Sequence, residues 1–176
     1  MIPDIVIIII NAFWFIIPAY AANAFPPLAR GRKPLDEGMM FGKSRLLGDG
    51  KTLEGTIAAL VFGFIFGILQ LLAQGMYDVT QIGLFEMTIQ LILFIVIGAI
   101  AGDLIGSFVK RRIGLKRGAM FIGFDQLGFV IFALIFAAPL LMLRWESIIF
   151  LLIVTPVIHW IGNIIGYLGK VKQVPW

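Results

Sequence analysis

Two carboxylates stand in apolar surroundings, where a charge is expensive. Asp103 lies in GDLIGSFVKRR (102–112) and Asp125 in FDQLGF (124–129). Leaving an ionised side chain in lipid costs at least about 2.5 kcal/mol, so such groups face a cavity or a partner and mark functional positions. On a helix, Asp103, Ser107 and Lys110 or Arg111 follow at steps of four and then three or four, which places them on one face. That face runs from an acid through a hydroxyl to cations. A simple ion pair satisfying the helix accounts for Asp103 and leaves Asp125 unexplained. Two acids beside many cations read best as a metal–polyphosphate site. Mg2+ is commonly held by one or two carboxylates plus substrate phosphates, and Lys and Arg neutralise the remaining phosphate charge. A proton relay would also use carboxylates, but it has no need of the eleven Lys and Arg residues in two loops of this chain.

The elements that hold these residues are apolar runs. The chain has 176 residues, 60% of them hydrophobic, with a mean hydropathy of +1.01; soluble domains are roughly 45–50% apolar. It has no cysteine and one histidine, which excludes disulfides, thiolate metal sites and a multi-histidine zinc site. A membrane span needs about 20 apolar residues, and five segments supply them: 5–29, 53–77, 87–109, 119–143 and 147–169. The expected fold is therefore a single all-α polytopic membrane domain over residues 1–176, with basic loops at 30–52 and 110–118. Thirteen of the fourteen basic residues fall on one side of these spans. They are Arg30, Arg32, Lys33, Lys43, Arg45, Lys51, Lys110, Arg111, Arg112, Lys116, Arg117, Lys170 and Lys172, with Arg144 alone opposite. Cytoplasmic loops carry the excess of Lys and Arg, so the N-terminus is expected outside and the C-terminus in the cytoplasm.

A helix rises 1.5 Å per residue, so Asp103, seven residues before Lys110, lies roughly 10 Å inside the cytoplasmic end. Asp125, Asn23 and Asn163 fall at a similar level on three other spans. Pro18, Pro26 and Pro27 are expected to kink or end the first span near Asn23 and free backbone groups for a pocket. Glycines four apart (Gly63/Gly67, Gly98/Gly102/Gly106, Gly162/Gly166) indicate close helix packing, and His159 reads as a satisfied helix-contact histidine. GKS (42–44) and GKT (50–52) lack the spacing and the preceding strand of a P-loop, although GDGKT could present backbone N–H groups to an anion at the start of the second span. AYAANA (19–24) has the look of a signal-peptidase site, but MIPD is no positive n-region.

The motifs, taken in order, resemble a known family. GDGKTLEG (48–55) is similar to the KTWEG element of the CDP-diacylglycerol synthases, with Leu53 in place of tryptophan. GDLIGSFVKRR followed by FDQLGF resembles that family's C-terminal signature, with Gly128 where its second aspartate stands. The likeness is closer to the short archaeal branch, the CDP-archaeol synthases, which combine an early ANxxP element (here 22–26), KTxxG, GDxxxSFxKRR and DQ. That resemblance implies transfer of CMP from CTP to an isoprenoid glycerol ether phosphate, with Mg2+ and release of pyrophosphate. It implies catalytic roles for Asp103, Asp125, Lys110 and Arg111, with both aspartates on the metal. It implies nucleotide contacts for Asn23, Pro26, Lys51, Thr52, Gly55 and Ser107. The partners implied are CTP, the lipid and the surrounding membrane, with no nucleic acid, at a site facing the cytoplasm. The alternative is a small ion- or proton-coupled transporter using Asp103 and Asp125; it requires a polar path to the outer side, where the spans offer little beyond Asn11 and Gln90.

Overall fold

In a computed structural model describing residues 3–115, 119–121 and 123–171, the chain is almost entirely helical. The basic residues Lys116, Arg117 and Lys172 lie outside the described residues. Helix α1 spans Asp4–Ala24 and runs through Pro18; Pro26 and Pro27 follow in a short 3-10 turn, Pro26–Ala29. A two-stranded hairpin comes next, β1 (Met40–Phe41) and β2 (Ser44–Arg45). Helices α2 (Leu53–Met76), α3 (Ile89–Arg112), α4 (Phe124–Ala137) and α5 (Trp145–Leu168) complete the chain. Side-chain caps set two of the starts: Thr52 accepts from Gly55 N in α2, and Thr88 from Leu91 N in α3. Such caps contribute about 1 kcal/mol each.

Among the described residues, four stretches are long and apolar enough to cross a membrane: 4–29, α2, α3 and α5. The segment expected at 119–143 differs. Its helix has 14 residues, about 21 Å at 1.5 Å per residue against the roughly 30 Å of a hydrocarbon core. It starts beside Gly123, at φ +88, and ends just before Pro139, where a ring without an N–H disfavours further helix.

Helix α3 sits at the centre, packed by α1, α2 and α4 around a core of Phe15, Ile92, Ile95, Val96 and Val130. Its contact with α4 is backbone against backbone. A Cβ on Gly98 would lie 2.5 Å from Phe132 O, and one on Gly102 would lie 2.4 Å from Gly128 O. Small residues let helices approach this closely in lipid. Gly63 and Gly67 do the same for α2 against Val96 and Ile92 of α3. Gly162 departs from the expected pattern: nothing lies within 4 Å of a Cβ placed there.

At the end of the bundle remote from the hairpin, polar side chains are tied to backbone. Asn11 Nδ2 donates to Ile7 O and Gly83 O, and its Oδ1 accepts from Phe85 N. Gln74 bonds both N and O of Met87, and Gln70 donates to Trp14 O. The bonds of Asn11 and Gln74 satisfy backbone groups of the 77–88 connection, so these two side chains are occupied in holding the fold, while Gln70 Oε1 is buried without a partner among the described residues.

Candidate active site

Close α3–α4 packing brings Asp103 and Asp125 to one cavity. It measures about 60 Å³ and is lined by Asn23 of α1, Lys51, Asp103, Gly106, Ser107 and Lys110 of α3's inner face, and Asp125 and Phe129 of α4. A second cavity of about 160 Å³ shares Lys51, Ser107 and Lys110 with it, and adds Arg111 and the loop Leu47–Gly50. The first holds the acids and the second gathers three cations. Each acid is matched by a lysine. Lys51 Nζ donates to Asp103 Oδ2 at 2.5 Å, and Lys110 Nζ donates to both Asp125 oxygens at 2.9 and 3.0 Å. Phe121 N also donates to Asp125 Oδ2, at 2.9 Å. All four side chains keep some solvent access, from 14% for Lys110 to 41% for Asp103, so the site is a wet pocket open to polar ligands.

The loop from 30 to 52 forms one wall, and a buried acid shapes it. The Asp36 side chain is fully buried, pairs with the Arg45 guanidinium, and accepts from Leu47 N at 2.9 Å, Gly48 N at 3.0 Å and Gly38 N at 3.3 Å. The Arg45 guanidinium, followed by those amides, holds the Asp36 carboxyl well below the usual carboxylate range. Gly48, at φ +86, turns the chain against the Arg111 side chain, where a Cβ would lie 3.5 Å from Arg111 Cδ. Arg111 lines the second cavity, and its Nε, buried against Gly48, has no hydrogen-bond partner among the described residues. Arg112 points elsewhere: it bonds the carbonyls of Phe41 and Arg45 and lies 5.0 Å from the ring centroids of Phe41 and Phe108.

Six of the residues expected to do chemistry or bind, Asn23, Asp103, Ser107, Lys110, Asp125 and Lys51, line the first cavity, and Arg111 lines the second. Pro26, Thr52 and Gly55 line neither. The Thr52 hydroxyl caps α2 at Gly55 N, 3.2 Å away, and a Cβ on Gly55 would lie 3.7 Å from Pro26 Cβ, so these three pack together at the start of α2. Asn163 also stands apart from the linings. It is buried on α5 and bonds His159 Nδ1 at 3.1 Å, which makes His159 part of a helix-side contact. Residue depth along a helix does not fix the direction in which a side chain points. The sequence does not announce that Asp36 pairs with Arg45 and holds Gly48; only an acid–glycine turn and an arginine nine residues later hint at it.

The pocket donors are hard oxygens: two carboxylates, an amide and a hydroxyl, with no thiolate or imidazole. This set fits Mg2+, which prefers oxygen and retains places for phosphate and water. No group of three His, Cys, Asp or Glu gathers among the described residues, so the protein would supply two carboxylates and substrate the rest.

A family model described as CarS-like, CDP-archaeol synthase, matches residues 5–176. This chain belongs to the CDP-archaeol synthase family. The CDP-archaeol synthase of Thermococcus kodakarensis is 47% identical over 168 residues, 94% of this chain and 95% of that protein. That of Pyrococcus abyssi is 42% identical over 96% of this chain and 98% of its own length, and that of Methanococcus maripaludis 41% over 98% and 99%. A solved structure described as an intramembrane enzyme for archaeal membrane lipids biosynthesis has a TM-score of 0.76 and 36% identity, covering 89% of this chain and 94% of that one. Membership makes the chain a multi-pass membrane protein and an enzyme, a CTP-dependent nucleotidyltransferase of archaeal lipid synthesis. It lends nothing to the transporter alternative, and the occupied polar groups at the far end of the bundle agree.

Proposed function

We propose that the chain transfers CMP from CTP to a 2,3-bis-O-(geranylgeranyl)-glycerol 1-phosphate type of lipid, with Mg2+, at a pocket facing the cytoplasm. With the short α4 counted as a fifth membrane-embedded helix, the N-terminus lies outside and the C-terminus inside; the one-sided distribution of basic residues supports this. The observation that carries the reading is the convergence of Asp103, Asp125, Lys51, Lys110, Ser107 and Arg111 on two joined cavities.

In the reaction a lipid phosphate oxygen attacks the α-phosphorus of CTP. The new P–O bond forms as the bond from the α-phosphorus to the α–β bridging oxygen breaks, and its electron pair leaves with pyrophosphate. The attacking oxygen is already anionic near neutral pH, so the step needs no histidine base. Catalysis is then positioning and charge neutralisation. Asp103 and Asp125 would hold Mg2+, which when bound offsets the triphosphate's negative charge. Lys51 and Lys110 turn from the carboxylates to phosphate oxygens, and Arg111 sets its cation beside the departing pyrophosphate in the second cavity. Ser107 and Asn23 hydrogen-bond the nucleotide's phosphates. Pro26, Thr52 and Gly55 fix the start of α2, directly after Lys51 in the chain.

The test is incubation of the purified protein with labelled CTP, Mg2+ and a phosphorylated isoprenoid glycerol ether. CDP-lipid and pyrophosphate are expected in equal amounts, and their absence sinks the reading. Asp103→Asn and Asp125→Asn should each abolish turnover; if either keeps the wild-type rate, its metal role is wrong even where the reaction stands.

A further inference from the structure

The hairpin of the 30–52 loop lies on a side of α3 that the reaction does not use. Asp103, Ser107 and Lys110 follow one helix face into the pocket. Phe94, Ile97, Ile105, Phe108 and Arg112 recur at helical spacing on the other side. The first three of these are 36–40% exposed apolar side chains along a membrane-crossing helix, hence a lipid-facing stripe. The last two receive the hairpin: the Phe41 ring sits edge-on to Phe108 at 5.9 Å between centroids, and the Arg112 guanidinium lies over both rings. Ser44 Oγ adds a bond to Arg111 O at 3.0 Å. The hairpin therefore continues the lipid-facing stripe past the end of the span.

Its tip has the composition of a bilayer anchor. Met39, Met40 and Phe41 are 61%, 56% and 58% exposed, three consecutive apolar side chains with open space around the flanking Gly38 and Gly42. Gly42, at φ +65, makes the tight turn between the paired residues Phe41 and Ser44, and leaves Lys43 exposed at the apex. Apolar side chains beside a cation at the end of a span match the boundary between acyl chains and headgroups, where apolar groups enter and Lys meets lipid phosphate. The base of the hairpin is fixed to the fold by Asp36 and Arg45, so the tip is held out from it.

We propose that Met39, Met40 and Phe41 insert into the bilayer interface beside α3, with Lys43 at the headgroups. The occupant of this apolar face is the membrane itself. Because β2 leads through Leu46 to the cavity wall Leu47–Lys51, insertion ties that wall to the membrane surface. The proposal is independent of which lipid or nucleotide the pocket takes.

The chain has no cysteine, so one introduced cysteine carries a unique probe. Met40→Cys is labelled with an environment-sensitive fluorophore and the protein is reconstituted into vesicles of mixed zwitterionic and anionic lipid. Glu37→Cys, whose side chain is 70% exposed, is the reference outside the tip. At Met40 the emission should be blue-shifted, protected from aqueous iodide, and quenched at least about two-fold by lipids carrying a spin label shallow in the acyl chain. At Glu37 iodide should quench freely. Equal iodide quenching at both positions overturns the proposal. Protection at Met40 that ignores the spin-labelled lipid and rises with protein density also overturns it, since a second copy would then cover the tip.

Discussion

The spacing of the two carboxylates depends on α3 and α4 touching through backbone, and Gly102→Ala tests that dependence. The added methyl would lie 2.4 Å from Gly128 O, 2.8 Å from Gly128 C and 2.9 Å from Phe129 Cα. All three neighbours are backbone atoms, so no rotamer change relieves the clash. Restoring an ordinary contact of 3.4 Å requires the helices to part by about 1 Å. Overpacking of this kind costs typically 1–3 kcal/mol in stability, and a 1 Å misplacement at a reacting centre can cost about 10²-fold in rate. Gly162→Ala is the control, a helical glycine of α5 outside both cavities whose methyl would meet nothing within 4 Å. Thermal unfolding in detergent and CDP-lipid formation are measured on both variants. We expect Gly102→Ala to lose about 10²-fold in kcat while still folding, and Gly162→Ala to stay within a few-fold of wild type. A Gly102→Ala enzyme with wild-type kcat would refute the argument that backbone contact sets the carboxylate spacing.

Three further outcomes follow from the geometry. Thr52→Ala removes the α2 cap and should cost about 1 kcal/mol of stability, seen as a lowered Tm, while KM for CTP changes little because the hydroxyl lines neither cavity. Lys51→Ala leaves Asp103 without its ion partner and removes a cation from both cavities; calorimetry should show CTP binding weakened about tenfold or more, roughly 1.4 kcal/mol. The Asp36 carboxyl sits below its ordinary value of 3.8 because Arg45 and three amides favour the charged form. Its contribution is thus present above pH 3.8 and is lost as pH falls through that value towards the depressed one. Amide exchange in residues 36–49 should accelerate as pH drops below 3.8 relative to Asp36→Asn, whose loop is weaker at neutral pH and insensitive over that window.

Four of the helices were legible because lipid imposes a length and a composition that sequence displays directly; α2, expected at 53–77, is Leu53–Met76. The shortness of α4 was legible only in Pro139 and Gly123, local signals that a hydropathy run conceals. Asp103 and Asp125 could be paired from the sequence as two acids in apolar runs, but helical rise placed only Asp103, two turns before Lys110; α4 begins at Phe124, so Asp125 sits in its first turn and not six residues into a span. Asn163 shares the expected depth of Asp103 but not its direction, because azimuth depends on how α5 packs. Lys51 was expected near phosphates, yet its bond to Asp103 was not, because the loop that delivers it is folded around Asp36 through contacts nine to twelve residues apart. Such contacts follow no period, so nothing in the chain announces them.

The two lysine–carboxylate pairs bear on how the enzyme lets go of its products. A pocket that grips a polyphosphate with fixed cations risks keeping pyrophosphate once it has formed. Here Lys51 has an acid 2.5 Å away and Lys110 has one at 2.9 Å. Each ammonium that leaves a phosphate therefore has an internal anion to return to, and neither partner is left buried and alone. Under the proposed mechanism the vacated pocket would regain its charge balance through these two pairs without recruiting ions from solution, so product release would itself reset the site for the next nucleotide.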